Sequence, residues 1–190
     1  MAEHVHGPLL KYSDPSKHDI DETGRYPLMA EAMRQLLVEK GLLSNKEIRE
    51  YIDFMDSRGS SVGAQLIARA WTDSAFKKRL LENGTAAVAE FGIAMSGTEL
   101  VVVENTETVH NVVVCTLCSC YPRTILGLPP DWYKSKAYRS RTVNEPRAVL
   151  REFGTDLPDD VTVRVHDSNA DMRYLVLPVR PDGTDELTET

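Results

Sequence analysis

Apolar residues recur at a helical period through the first half of the chain and at a strand period in parts of the second. Leu28, Met29, Ala32, Met33, Leu36 and Leu37 share one helical face, and Gly41 closes the run. Ser44-Asn45-Lys46-Glu47 reads as a capping box opening a second helix, with Ile48, Tyr51, Ile52 and Met55 on its apolar side. Residues Asp56 to Gly59 break it. A third helix is expected over Val62 to Trp71, with Leu66, Ile67 and Ala70 inward. Thr72 or Asp73 caps a fourth that ends near Asn83-Gly84, and a short fifth runs from Ala86 to Phe91.

The second half is mixed. Glu99 to Glu104 and Thr108 to Cys115 are β-branched, apolar strand candidates. Pro129-Pro130 opens a helix with Asp131, Trp132 and Tyr133 in its first turns. Thr142 to Phe153 reads as one further helix, closed by Gly154. Val161, Val163 and Val165 alternate with polar residues, Asp167-Ser168-Asn169 signals a turn, and Met172 to Pro178 reads as the return strand. The pattern predicts an α+β fold in four stretches. These are an extended arm (residues 1–27), a helical region (28–92), an α/β domain (93–180) and an acidic tail (181–190).

Composition narrows the classes. The chain has 190 residues, 42% of them hydrophobic, which suits a folded core and argues against disorder or a fibrous protein. Its net charge of −7 disfavours nucleic acid as a partner. No apolar run approaches the roughly 20 residues of a membrane span. The N-terminus lacks the features of a secretory signal, so the expected compartment is the cytoplasm. One local contrast stands out. Residues 121 to 151 carry seven basic residues (Arg123, Lys134, Lys136, Arg139, Arg141, Arg147, Arg151) against Asp131 and Glu145. Either this is a solvated face, or it supports an anionic metal site or an acidic partner.

The chemistry concentrates at the cysteines. All three, Cys115, Cys118 and Cys120, fall within six residues. An odd, crowded set cannot be a disulfide scaffold. Three soft thiolates select a transition metal over magnesium or calcium. A structural zinc site wants a fourth ligand, for which His110 is the nearest histidine. An iron–sulfur cluster usually wants four cysteines. A redox pair would leave the third cysteine without a role. A compact site completed by backbone nitrogens is the remaining reading.

The segment VCTLCSCYPRTILGLPPDWYKS resembles the metal claw of the nitrile hydratase α-subunit family. The likeness extends to VVVENTETVHN before the claw, to KAYRSRTVNEPRAVLREFG after it, and to DSNADMRYLVLPVRPDGT. It also takes in LLVEKGL and GAQLIARAWTDSAFKKRLL, so it covers the chain from about Leu28 to Thr184.

The resemblance implies a layered α-β-β-α arrangement and a metal held by the sulfurs of Cys115, Cys118 and Cys120 and the backbone nitrogens of Ser119 and Cys120. Cys118 would be oxidised to sulfinic acid and Cys120 to sulfenic acid, rungs of the oxidation ladder held by coordination. Thr116 and Tyr121 match the cobalt type, so Co(III) is expected over iron. The implied reaction is hydration of a nitrile to its carboxamide, with Cys120 as nucleophile or base and Ser119 beside it. The implied partners are β-type subunits, whose arginines reach the claw, and an activator that loads the metal.

Other residues keep two readings. Trp132 lines the substrate pocket or packs as a helix-start aromatic. Asp167 and Arg173 orient the claw from outside, or serve as a turn cap and an ion pair.

The chain departs from the common pattern at Arg123-Thr124, at Ser96, where many members carry Gln, and in ending soon after RPDGTDELTET. Those departures resemble the branch with a split β-subunit, which contains thiocyanate hydrolase and toyocamycin nitrile hydratase. Hydration of a nitrile, including a nucleoside nitrile, is the preferred expectation. Hydrolysis of thiocyanate to carbonyl sulfide and ammonia is the alternative. A structural zinc-binding subunit is the alternative from another class.

Overall fold

A computed structural model describes residues 24–57, 59–184 and 186. Residues 1–23 of the expected arm, and much of the acidic tail, lie outside the described residues. The last three residues of that arm are helical: α1 spans Arg25–Glu39, three residues earlier than the apolar pattern begins. Pro27 is no obstacle there, because first-turn N–H groups have no intrahelical acceptor.

The capping box forms as read. The Ser44 side chain accepts from Glu47 N at 3.2 Å, and the Glu47 carboxylate accepts from Ser44 N at 2.8 Å, opening α2 (Asn45–Asp56). Ser44→Ala removes the cap and is expected to cost about 1 kcal/mol. A chemical denaturation curve would show this as a lower midpoint at unchanged slope.

Three helices follow: α3 (Ser60–Thr72), α4 (Ser74–Glu82) and α5 (Gly84–Ala89). Of the two caps considered, Asp73 is the one used, accepting from Phe76 N at 2.9 Å. Asn83 ends α4 and caps α5, accepting from Ala86 N at 2.9 Å. Gly84 is required by close approach: a Cβ there would sit 2.5 Å from the Leu100 carbonyl oxygen.

Strands β1 (Glu99–Glu104) and β2 (Val109–Val114) lead to four short helices. These are α6 (Arg123–Leu126), α7 (Asp131–Lys134), α8 (Lys136–Asn144) and α9 (Pro146–Glu152). The single helix expected over Thr142 to Phe153 is broken in two. Pro146 pushes Glu145 out of helical geometry (φ −141°, ψ 55°) and restarts the helix as its own first residue.

Strands β3 (Thr162–Asp167) and β4 (Met172–Leu177) complete the chain. The expected return of β4 against β3 does not occur. β4 pairs in parallel with β1, and β3 pairs in parallel with β2, giving two two-stranded sheets. The turn after Asp167 is real: Asn169 Oδ1 accepts from Asp171 N and Met172 N, each at 2.9 Å. It carries the chain from one sheet to the other instead of folding it back on itself.

The main core joins both halves of the chain. Leu66, Phe76, Leu80 and Val88 pack with Leu100, Val102, Leu175 and Leu177 of β1 and β4, and with Ile125 of α6. Each such side chain contributes about 1.5–3 kcal/mol of burial. A second cluster lies behind β2, where Val114 meets Tyr133, Tyr138 and Val149. By contrast, α1 and α2 bury no residue, and Leu28, Met33, Tyr51 and Ile52 are more than half exposed. Among the described residues, no helix is long and apolar enough to cross a membrane.

Candidate metal centre

The cysteine loop begins where β2 ends. The parallel register sets Val114 opposite Asp167, and Ser168 N donates to the Val114 carbonyl at 2.7 Å. Cys115, the next residue, is fully buried at the strand end. From there the backbone turns tightly, and Cys118 N donates to Cys115 Sγ at 3.3 Å. Leu117, at the tip, is 85% exposed.

The three sulfurs converge. Cys115 Sγ lies 3.4 Å from Cys118 Sγ, and Cys118 Sγ lies 3.1 Å from Cys120 Sγ. All three are within 4.8 Å of one another, the only such His/Cys/Asp/Glu group among the described residues. Metal–sulfur bonds of about 2.3 Å put sulfurs about 3.3 Å apart at a right angle and about 3.8 Å apart at a tetrahedral angle. The observed spacings fit the right-angled set. Cys115 is buried, Cys120 half-buried and Cys118 exposed, so the site is closed behind and open in front.

Electrostatics agree with a cation-seeking site. The flanking Cys120 and Cys115 sulfurs draw the Cys118 thiol down to about 7. Burial, and then the adjacent Cys118, push Cys120 up to about 12. Without a positive charge, one sulfur ionises at the expense of its neighbour. Arg173 is the nearby cation that opposes this, lowering Cys120 through its charge.

Asp167 grips the start of the loop from β3. Its Oδ1 accepts from Thr116 N at 2.9 Å, and its Oδ2 accepts from the Thr116 hydroxyl at 2.5 Å. From α7, the Tyr133 hydroxyl donates to the Cys120 carbonyl at 2.9 Å. Tyr121 stands edge-on to Tyr133, with ring centroids 5.1 Å apart.

In front of the sulfurs lies a cleft of about 750 Å³. Its walls include Cys118, Ser119, Cys120 and Tyr121 of the loop, Tyr51, Phe54 and Met55 of α2, and Ser96, Arg123 and Arg173. Among the described residues, no carboxylate lines it. Ser96 holds a left-handed backbone (φ 48°) in the turn before β1.

The structure distributes the remaining sequence candidates clearly. Arg173 lines the cleft, and its guanidinium donates to the carbonyls of Asn169, Ala170 and Met172. Trp132 is not among the residues along the cleft. It packs behind the loop, 4.9 Å from Tyr138 and 4.8 Å from Phe153 between ring centroids. His110 does not join the sulfurs; its Nδ1 lies 3.4 Å from Asn105 Nδ2.

The basic run is largely satisfied within the chain. Lys134 pairs with Asp131, Arg141 with Glu145 and Glu152, and Arg151 with Asp156. Arg147 donates to the carbonyls of Leu157, Pro158 and Val161. Of the seven, Arg123 lines the cleft.

Sequence reasoning missed the α2 wall and the contacts of Tyr133. The α2 wall left a faint signal, since Phe54 adds a third large apolar residue beside Tyr51 and Met55 at the end of the helix.

A donor set made only of thiolates, with no carboxylate among them, has the chemistry that suits a soft or borderline transition metal. Comparison with known proteins makes the class particular. A family model described as "Nitrile hydratase, alpha chain" matches residues 25–190, and the chain belongs to that family. As a member of it, the chain is a hydro-lyase subunit of a hetero-oligomer.

The low-molecular-weight cobalt-containing nitrile hydratase subunit alpha of Rhodococcus rhodochrous is 53% identical over 160 residues, covering 83% of this chain and 77% of that protein. Thiocyanate hydrolase subunit gamma of Thiobacillus thioparus is 43% identical over 182 residues, covering 90% and 75%. Among solved structures, a double mutant of the iron-type nitrile hydratase of Comamonas testosteroni Ni1 superposes with a TM-score of 0.82 at 42% identity, covering 90% of this chain and 84% of that one. Relatives named for cobalt and for iron thus share this architecture.

Proposed function

We propose that Cys115, Cys118 and Cys120 hold a single cobalt ion, with the Ser119 and Cys120 backbone nitrogens completing the set, and that the enzyme converts a nitrile and water to the carboxamide. The observation that carries this reading is the convergence of three sulfurs on an open cleft, with Cys118 at right-angle spacing from each of the other two. A bound trivalent ion supplies Lewis acidity toward a nitrile nitrogen or a water.

The chain's own residues do the rest. Cys115 fixes the buried floor, and Ser119 brings the backbone inward. Cys120, as its sulfenate, would take a proton from the water that attacks the nitrile carbon and return it to nitrogen, or its oxygen would attack that carbon and be replaced from water. Arg173, beside Cys120, offsets the negative charge of oxygenated sulfur. The cleft, walled by Tyr51, Phe54 and Tyr121, has room for a ring-bearing nitrile such as a nucleoside nitrile. Thr116 and Tyr121 support cobalt over iron through the family pattern.

The exposed apolar faces of α1 and α2 support docking of a β-type subunit by the helical region (28–92), leaving residues 93–180 to carry the claw. Two separate chains share the β role in this branch, an activator loads the metal, and the compartment is cytoplasmic.

One observation favours thiocyanate as a second substrate reading: among the described residues, two arginines and no carboxylate line the cleft, which suits an anion.

The test is elemental analysis of the complex co-expressed with its β-type partners, combined with the mass of the claw peptide. Expected are one cobalt per chain and three added oxygens, two on Cys118 and one on Cys120. Zinc with no added oxygen would overturn the catalytic reading in favour of a structural subunit. Product analysis then separates amide from ammonia and carbonyl sulfide.

A further inference from the structure

The Tyr133 hydroxyl lies against the backbone of the claw, away from the cleft. Tyr133 sits on the four-residue helix α7 and is 3% exposed. A buried phenol hydroxyl needs a partner, and this one donates to the Cys120 carbonyl at 2.9 Å. A second tyrosine, Tyr138 of α8, donates to the Val113 carbonyl at 2.8 Å, just before the loop. The two rings lie 5.6 Å apart in one aromatic cluster with Trp132 and Phe153. The backbone is therefore pinned at residue 113 and at residue 120 by hydroxyls from one packed unit. The segment between them holds all three sulfurs.

This matters because the sulfurs do not hold themselves together. Once both are ionised as ligands, Cys118 and Cys120 repel across 3.1 Å, and the sulfur–sulfur hydrogen bond of the thiol form is lost. Leu117 and Cys118 are exposed, so packing does not hold the tip. A carbonyl anchored at Cys120 restricts rotation about the bond that aims its Cα–Cβ vector.

We propose that Tyr133 is a positioning residue for the claw: its hydroxyl holds the Cys120 backbone so that Cys120 Sγ stands in ligand range of Cys118 before any metal arrives. The proposal rests on the metal-site reading above for its consequence in loading, but the preorganisation itself is a property of the metal-free chain.

The experiment therefore has two arms, both on the full chain in its co-expressed complex. In the first, Tyr133→Phe and wild type are compared for metal per chain, sulfur-to-metal absorption and added oxygens on the claw peptide. In the second, the metal-free forms are compared for capture of phenylarsine oxide, a probe that bridges two thiols already close together.

Tyr133→Phe keeps the ring, so a merely structural role predicts no change in either arm. The proposal predicts that metal content and arsenical capture rate both fall about tenfold, the scale typical of groups that orient metal ligands. Placing p-aminophenylalanine at position 133 restores an N–H donor and is expected to rescue both. If Tyr133→Phe does not fold, the p-aminophenylalanine form decides: folded and reactive supports the proposal, folded and unreactive overturns it. Equal arsenical capture by wild type and Tyr133→Phe overturns it as well. A wild-type complex free of metal at the claw would overturn the metal-site reading, while the arsenical arm would still decide the role of Tyr133.

Discussion

Replacing Cys120 by Ala is expected to remove metal and activity together, with Cys115→Ala and Cys118→Ala doing the same. The three sulfurs form one donor set, and among the described residues no further His, Cys, Asp or Glu joins it to replace one that is lost. Removing Cys118 takes away the middle sulfur, the one drawn down to about 7 and so the readiest thiolate at neutral pH. Removing Cys115 also leaves a void at a fully buried position beneath the loop. Removing Cys120 takes away the sulfur whose oxygenated form is assigned the proton transfer. Activity should fall on the order of 10³-fold or more, the scale of losing a charge-stabilising group at a reacting centre. Metal analysis and a rate assay on the same co-expressed complex check this. The fold should survive, because the main core of α3, α4, β1 and β4 does not include the loop. A fully active, metal-loaded Cys120→Ala enzyme would refute the assigned role.

The features that the sequence made legible are those encoded locally. The capping box at Ser44 and Glu47, the Asp73 cap and the β-branched runs of β1 and β2 each depend on neighbours a few residues away. The cysteine loop was legible for the same reason, since its three sulfurs come from one short segment. Strand pairing is not local. β3 and β4 follow one another across a true turn, which suggested a hairpin, yet each pairs with a strand more than fifty residues earlier. That choice brings Asp167 beside Val114 and the base of the claw, and no periodicity in residues 162–177 encodes it. Pro146 is a local signal too, and it moves the break to Glu145, inside the stretch read as one helix. The Tyr133 and Tyr138 hydroxyl bonds lie furthest from view, because a tyrosine in an aromatic cluster reads only as core.

The two halves of the site also differ in what completes them. Behind the sulfurs every contact comes from this chain: buried Cys115, the aromatic cluster, and the exposed Asp167 contacts. In front, the cleft is bounded by α2, a helix that buries no residue of its own. Tyr51 and Phe54 stack on each other, 6.3 Å between centroids, and are both exposed. An apolar wall left open in this way fits a subunit whose active site is finished by another chain. Because Arg123 and Arg173 already line the cleft, the chain brings its own positive charge to whatever the partner adds.

Asp167→Ala is expected to be the most damaging change outside the cysteines. Asp167 sits at the end of β3, and its two oxygens accept both hydrogen bonds that Thr116 offers, at 2.9 and 2.5 Å. Thr116 lies between Cys115 and Cys118 in the chain, so this grip sets the direction in which the backbone leaves the buried sulfur. Losing it frees the loop where it must turn most tightly, while Cys115 stays buried in the strand end. Groups that orient metal ligands in this way typically carry about 10–100-fold in metal affinity or activity. Asp167→Ala should therefore retain about one tenth or less of the wild-type activity, with metal content falling in parallel. Asp167→Asn keeps one carbonyl oxygen to accept from Thr116 N but loses the charge, and should fall in between. Global stability should drop far less than activity, because the Thr116 contacts are exposed and charged hydrogen bonds are worth about 1.5–3 kcal/mol even in favourable settings. Thermal unfolding measured beside metal content separates the two effects. Full loading and full activity in Asp167→Ala would mean that Tyr133, Tyr138 and the buried Cys115 hold the claw without help from β3.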